Sequence, residues 1–455
     1  MSVLDHCLRE IRQSPPRPTR FGKVQSATGI VIEATGLNAA IGEMCVIRPD
    51  PSHEDPDLIA PPPVEAEVIG IRGSAALLMP LGEATGLRAG SLVERAARPH
   101  TVPVGDALLG RVIDASGRPI DGKGPLALSE SRPVRAEPPA ALERQLIDAP
   151  LRTGVRAIDG LLTLAKGQRV GIFAGSGVGK STLLGTIAAR SEADINVIAL
   201  IGERGREVRE FIHDTLGEDG LARSVVVAVT GDQAALARVK GALVATAVAE
   251  HFRDQGRDVL LMMDSVTRVA QAQREIGLAA GEPPTSRGYT PSVFALLPRI
   301  LERAGPGARG TITGLFTVLV DGGDMDEPVA DAVRGILDGH IVLSRKLADS
   351  GHFPAIDVPA SVSRVMPRVT SSEQQDAARD ARALIAAYRE VEPLVRVGAF
   401  EPGRDPDADR AVDRHSAITA YLRQPPDDPD HSDPVIRLVE ALTAPHTNRP
   451  VMPTA

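Results

Sequence analysis

The run AGSGVGKST, Ala174–Thr182, follows the apolar stretch Arg169–Phe173 and constrains this chain more than any other segment. An apolar strand, a glycine-rich turn and then Gly-Lys-Ser opening a helix is the pattern of a phosphate-binding loop. Gly175, Gly177 and Gly179 let the backbone N–H groups around Ser176 and Val178 turn inward on an anion without Cβ clashes. A helix beginning near Lys180 aims its positive dipole end at the same anion. Lys180 suits the β- and γ-phosphates, and the Ser181 hydroxyl suits Mg²⁺. The first position of the usual GxxxxGK[ST] pattern is Ala174 here, a small substitution that leaves the other glycines intact. Residues 174–182 are thus expected to bind a nucleotide.

Composition narrows the partners. A chain of 455 residues has room for two or three domains. Its net charge of −8 and 2% aromatic content, with no Trp, argue against a nucleic-acid partner. Two cysteines, Cys7 and Cys45, cannot build a disulfide framework and read as small buried hydrophobes in a reducing compartment. The charged start MSVLDHCLREIRQ is unlike a signal peptide, and no apolar run approaches the ~20 residues of a membrane span. The expectation is a soluble, cytoplasmic protein.

The organisation changes along the chain. Residues 1–20 carry a short amphipathic pattern (Val3, Leu4, Cys7, Leu8, Ile11) and then the breaker SPPRPTR. From 21 to 97, short Val- and Ile-rich runs with turn signals predict a small β-barrel, with Pro49–Pro63 as a surface loop. From 98 to 371 strands alternate with helices. VGIFAG, NVIALIG, SVVVAVT, DVLLMMDS and TITGLFTVLV are the strands, and Gln233–Arg253 and Ser292–Arg303 are among the helices. That rhythm predicts a mostly parallel sheet covered on both faces. Residues 372–455 read as an α-helical domain with a proline-rich tail.

Hydrolysis needs more than a phosphate cradle. A carboxylate near Mg²⁺ is supplied by Asp264, which ends the apolar run of DVLLMMDS. A base to orient water is offered by Glu203, just past the strand NVIALIG. Taken alone, Glu203, Arg204, Arg206 and Glu207 read equally as a charged loop at a helix start. Charge developing on the γ-phosphoryl group favours an arginine, and Arg364 in PAIDVPASVSRVMP is the candidate. A solvated loop arginine is the plainer reading of that residue.

Together GVRAIDGLL, FAGSGVGKST, IALIGERGREVREF, the Asp264 strand and PAIDVPASVS resemble the rotary and export ATPases related to ATP-synthase catalytic subunits. The spacing of Pro354, Asp357, Ser361 and Ser363 matches that superfamily's signature. Segments 281–305, 326–345 and 394–412 look like the type III protein-export ATPases, and the wording is closer to flagellar than to virulence members. The resemblance implies an α/β fold: a RecA-like P-loop core between the barrel and the helical domain. It implies Glu203 as the carboxylate polarising the attacking water, with Arg204 a neighbour of the same site. Arg364 would be an arginine finger donated across a subunit interface, and Phe353 and Tyr421 would lie against adenine. Either aromatic can equally serve the core.

The same resemblance implies Mg²⁺ with ATP as substrate, and a homohexameric ring. It further implies a regulator or stator protein, a stalk protein, chaperone–substrate complexes, and peripheral contact with the inner membrane's cytoplasmic face. The alternatives are a virulence export ATPase, a Rho-like RNA translocase, a rotary synthase subunit and a non-hydrolysing ring subunit. Charge and aromatic scarcity count against the translocase, segment 394–412 against the synthase, and an intact Glu203 against the inert subunit.

Overall fold

The computed structural model describes residues 21–48, 62–96, 100–428, 430 and 432–443. The amphipathic start, most of the Pro49–Pro63 segment, Cys7 and the proline-rich tail lie outside the described residues. The described residues form two compact bodies, one containing those up to residue 100 with 234–237 and 275–283, the other the remainder.

In the first body six strands close a barrel: β1 (Phe21–Thr28), β2 (Val31–Thr35), β3 (Met44–Arg48), β4 (Val64–Arg72), β5 (Ala75–Pro80) and β6 (Leu92–Arg95). Their order is β1-β2-β5-β4-β3-β6, closed by pairing of β1 with β6. In β1 and β2 alternation sends Val24, Ile32 and Ala34 inward while their neighbours face out, and Val68 and Leu78 join them in the same core. Irregularities at Val24/Ser26 and Val68/Gly70 add the local twist that closure of so small a barrel needs. Cys45 is fully buried, and burial pushes its thiol up to about 12, so it acts as a hydrophobe.

The second body is organised by one sheet. From one edge its strands are Val362–Ser363, Gly339–Leu343, Arg169–Ala174, Thr311–Leu319, Asp258–Asp264, Ile195–Ile201, Ser224–Val229 and Arg111–Ile113. All neighbours on this path are parallel except the antiparallel edge strand Val362–Ser363. The interior strands are apolar along their length because both faces are covered; INVIALI and SVVVAV are buried at every position. Three strands of this path were absent from the sequence expectation: Arg111–Ile113, Gly339–Leu343 and Val362–Ser363. They lie at or next to the sheet edges, and Gly339–Leu343 alternates buried with half-buried residues around His340, so it lacks an apolar run.

Helix ends follow local chemistry. The Glu327 carboxylate accepts from the Ala330 N–H ahead of Pro328–Ile336, with Pro328 in the first turn. Ser371 caps Ser372–Arg396 through the Gln374 N–H, and Asp405 caps Pro406–Leu422 through the N–H groups of Asp407 and Ala408. With Pro434–Thr443 these form the helical end of the chain. Its apolar faces, including Ala381, Leu384, Ile418 and Leu438, share one core with Ile158 and Leu161 of the short helix Arg156–Leu161. Truncating a buried leucine here to alanine costs about 2–5 kcal/mol.

Candidate active site

Three strands end on the same edge of the sheet and deliver the three charged groups. Arg169–Ala174 runs into the phosphate loop, Asp258–Asp264 ends on Asp264, and Ile195–Ile201 stops two residues before Glu203. The carboxyl edge of a parallel sheet is where ligands of such folds gather. Gly177 and Gly179 hold φ of 72° and 85°, a left-handed conformation that a side chain disfavours. Gly179 also makes room for Phe353, whose ring carbons lie 3.3 Å from where its Cβ would stand. Lys180, Ser181 and Thr182 then open the helix Lys180–Arg190.

Lys180 sits between two carboxylates. Its ammonium contacts Asp264 Oδ1 and lies 3.4 Å from Glu203 Oε1. Asp264 is buried, and the Thr317 hydroxyl donates to its Oδ1 at 2.7 Å. Thr317 is a site residue the sequence reading missed. It is an alternating member of an apolar strand, and only pairing of the two strands brings it alongside Asp264. Burial pushes the Glu203 carboxyl above its ordinary value, against the pull of Lys180, while the charge of Asp264 and a hydrogen bond with Glu207 add to the rise. A carboxylate raised in this way is better matched to accepting a proton near neutral pH.

The segment after Glu203 is anchored to the phosphate-loop helix. A π-helical stretch, Phe211–Leu216, crosses Lys180–Arg190 so closely that a Cβ on Gly185 would stand 1.9 Å from Thr215 Cγ2. Arg204 remains outside the buried pair. Its side chain is 83% exposed, with the guanidinium 3.3 Å from Glu207. Arg345 was also missed: its guanidinium donates to the carbonyl of Ser176 in the loop.

Next to the loop lies a cavity of about 320 Å³ whose walls include Val155, Leu183, Phe353, Pro354, Pro425 and Pro426. An apolar slot beside a phosphate cradle suits a purine. Phe353 is half exposed in its wall. Tyr421 is not in that wall, which corrects the expectation that it faces adenine. It is buried, and its hydroxyl donates to the carbonyls of Arg156 (2.9 Å) and Pro434 (3.1 Å), so it anchors the core. Burial also pushes its phenol far above the usual range. The residues that line the slot come three to five positions later, at Gln424–Pro426.

Arg364 is at the other end of the sheet. Val362–Ser363 pairs with Gly339 and His340, and the Arg364 N–H donates to the Asp338 carbonyl, beside Arg169 where the loop strand begins. The phosphate loop leaves that strand at Ala174. Five residues of strand separate the two ends, about 17 Å at 3.3 Å per residue. Arg364 is exposed and lines a second cavity of about 370 Å³ with Arg144, Arg169, Arg368 and Asp338.

Among the described residues, no three His, Cys, Asp or Glu side chains converge as a metal cage. One hydroxyl, Ser181, and one carboxylate, Asp264, at a phosphate cradle is the donor set of a Mg²⁺ held mainly by phosphate oxygens and waters. The residues present fit that ion. No described helix is long and apolar enough to cross a membrane.

Comparison with known proteins agrees with this architecture. Residues 154–363 match the ATP synthase alpha/beta family nucleotide-binding domain, and residues 24–96 match its beta-barrel domain. Residues 370–440 match the T3SS EscN ATPase C-terminal domain. The chain is 52% identical to a flagellum-specific ATP synthase of Bacillus subtilis over 93% of this chain and 95% of that protein. It is 51% identical to a type 3 secretion system ATPase of Xanthomonas euvesicatoria over 93% and 94%. The assembled ATPase EscN of enteropathogenic E. coli superposes with a TM-score of 0.86 at 46% identity, covering 92% of this chain and all of that one. A phosphate loop, two carboxylates on one lysine, a six-stranded barrel and a helical end, matched over nine-tenths of the chain, place this protein in the family of flagellar and type III secretion ATPases.

Proposed function

We propose that the chain is a Mg²⁺-dependent ATP hydrolase that energises protein export through the flagellar type III apparatus, as a homohexameric ring with its catalytic sites at subunit interfaces. The observation that carries the ring is the split of the site. Lys180, Glu203 and Asp264 share one edge of the sheet, while Arg364 lies at the other, about 17 Å away along a strand. Arg364 therefore serves the phosphates of a neighbouring copy. A head-to-tail interface repeated until it closes is a ring. The solved EscN structures support this reading, one being of the assembled ATPase and one of its complex with its central stalk EscO.

In this mechanism the N–H groups of residues 175–180 and the Lys180 ammonium hold the β- and γ-phosphates. Ser181 and Asp264 would hold Mg²⁺, which when bound neutralises charge on the phosphate oxygens. Thr317 fixes the rotamer of Asp264. Glu203 orients a water against the γ-phosphorus and draws on its proton, and Arg364 of a neighbouring copy offsets the charge that develops there. Arg204 lies at the rim, where an incoming subunit meets the site. Phe353 packs on the base.

The working location is the cytoplasmic face of the inner membrane, with a stator, a stalk and chaperone-bound cargo as partners and no nucleic acid. Injectisome export is the second reading, favoured by the 51% identity to the Xanthomonas ATPase. Turnover measured against protein concentration tests the core of the proposal. Specific activity should climb with concentration in the wild type and stay flat in Arg364→Ala, with nucleotide binding intact. A flat wild-type profile overturns the shared site. Restored motility in a strain lacking its flagellar ATPase separates the flagellar reading from the injectisome one.

A further inference from the structure

The slot beside the phosphate loop has walls from Val155 and three further stretches of chain. The loop helix and Phe353–Pro354 are two. The third, Gln424–Pro425–Pro426, belongs to the connection between helices Pro406–Leu422 and Pro434–Thr443. Two consecutive prolines offer no N–H to a neighbouring strand or helix, so this wall must be held by other groups.

A dense set of bonds does so. The Gln424 N–H donates to the Phe353 carbonyl at 2.9 Å. Its amide oxygen accepts from the Arg156 N–H at 2.9 Å, and its amide nitrogen donates to the Gly154 carbonyl at 3.0 Å. The Arg156 guanidinium donates to the carbonyls of Tyr421 (3.1 Å) and Arg423 (2.6 Å) and to Asp428 Oδ2 (2.7 Å). Arg190, the last residue of the loop helix, donates to the Asp428 carbonyl at 2.9 Å. Gln424 and Asp428 are both buried. Arg156 thus directs its backbone N–H and all three guanidinium nitrogens to four residues on either side of the prolines.

We infer that Arg156, Gln424 and Asp428 form a latch that positions the third wall and so sets the width of the base slot between Phe353 and Pro425–Pro426. The inference rests on reading the slot as the purine site. The latch touches neither the phosphates nor the reacting atoms; these are positioning residues. It makes the base affinity, and not the phosphate affinity, depend on how the helical end of the chain is docked. By reciprocity, a bound base tightens that docking.

The test is equilibrium binding to the full-length protein, with ADP and tripolyphosphate as paired probes. Asp428→Ala should weaken ADP about tenfold while tripolyphosphate stays within about twofold of the wild type, and Asp428→Asn, which keeps an oxygen acceptor for Arg156, should fall between. Tyr421→Phe removes one hydroxyl from the same cluster without changing its shape, so it serves if Asp428→Ala does not fold; ADP alone should weaken about threefold. Unchanged ADP affinity in the folded variant, or equal weakening of both probes, overturns the latch. A wild type that binds both probes without hydrolysing ATP overturns the ATPase reading and leaves the latch standing.

Discussion

The two edges of the central sheet are built to different standards. At the carboxyl edge, the half-buried Lys180 contacts the buried Asp264, Glu203 is held 3.4 Å from the same lysine, and Thr317 fixes Asp264 from the neighbouring strand. At the amino edge, Arg364 stands exposed beside Arg144, Arg169 and Arg368, with Asp338 the carboxylate among them. Leu142 and Leu146 lie fully or largely exposed in the same stretch of chain as Arg144. One edge gathers two carboxylates on a single lysine beside the phosphate loop, and at the other Arg364 stands in solvent near Leu146 while Arg144 and Arg169 are paired with Glu302 and Asp338. On the proposed reading, the contrast is between a half-site preorganised inside one chain and a half that a second copy completes.

Mixing experiments break that comparison most directly. Arg364→Ala should lower turnover by about 10³-fold or more, the range for a transition-state arginine. Glu203→Gln should lower it by about 10²–10⁴-fold while ATP still binds. Combining the two inactive proteins should restore measurable hydrolysis, because some interfaces then pair an intact Glu203 with an intact Arg364. If the mixture stays dead, the two edges do not share a site.

Smaller changes sharpen the carboxyl edge. Thr317→Val keeps the side-chain shape and removes the hydroxyl from Asp264. Turnover should fall about tenfold, with the loss concentrated at low Mg²⁺, as read from a Mg²⁺ titration of steady-state rates. Phe353→Ala should raise KM for ATP about tenfold and leave kcat nearly unchanged, since stacking on the base is uniform binding. An unchanged KM would remove Phe353 from the base site.

The smallest effect concerns stability. Asp159 is buried under hydrogen bonds from the Thr153 N–H and hydroxyl and from the Gly154 N–H, yet burial dominates and pushes its carboxyl up to about 6. The folded chain therefore binds this proton more tightly than the unfolded chain. The associated stability is complete below about pH 4 and is lost as pH rises through about 6. Denaturant midpoints of the wild type should decline across that window relative to Asp159→Asn, in which this contribution cannot titrate. Parallel profiles would contradict the assignment.

Much of the carboxyl edge was legible in the sequence because its groups are encoded locally. Residues 174–182 are one contiguous motif, Asp264 directly ends an apolar run, and Glu203 follows another. A strand end and the residues just past it share an edge whatever the partners of that strand. Thr317 was not legible, because nothing local marks which polar residue of an apolar strand faces a carboxylate next door. Tyr421 misled for a related reason. An aromatic near the base site reads as a base contact, but its hydroxyl satisfies two backbone carbonyls and the ring is buried with them. The breaker Gln424-Pro425-Pro426, three residues on, was the available signal for a loop that reaches the slot.

The sequence by itself determined where the phosphate-loop motif stands, the alternation that predicts a parallel sheet, and the change to helices beyond residue 372. Each rests on residues close together in the chain, where spacing alone fixes geometry. Only the tertiary structure decided that Arg364 lies at the end of the sheet opposite its own chain's phosphate loop, and that Arg156 reaches across more than 260 residues to hold Asp428. Those facts depend on strand register and helix docking, which set distances between segments that the sequence lists far apart.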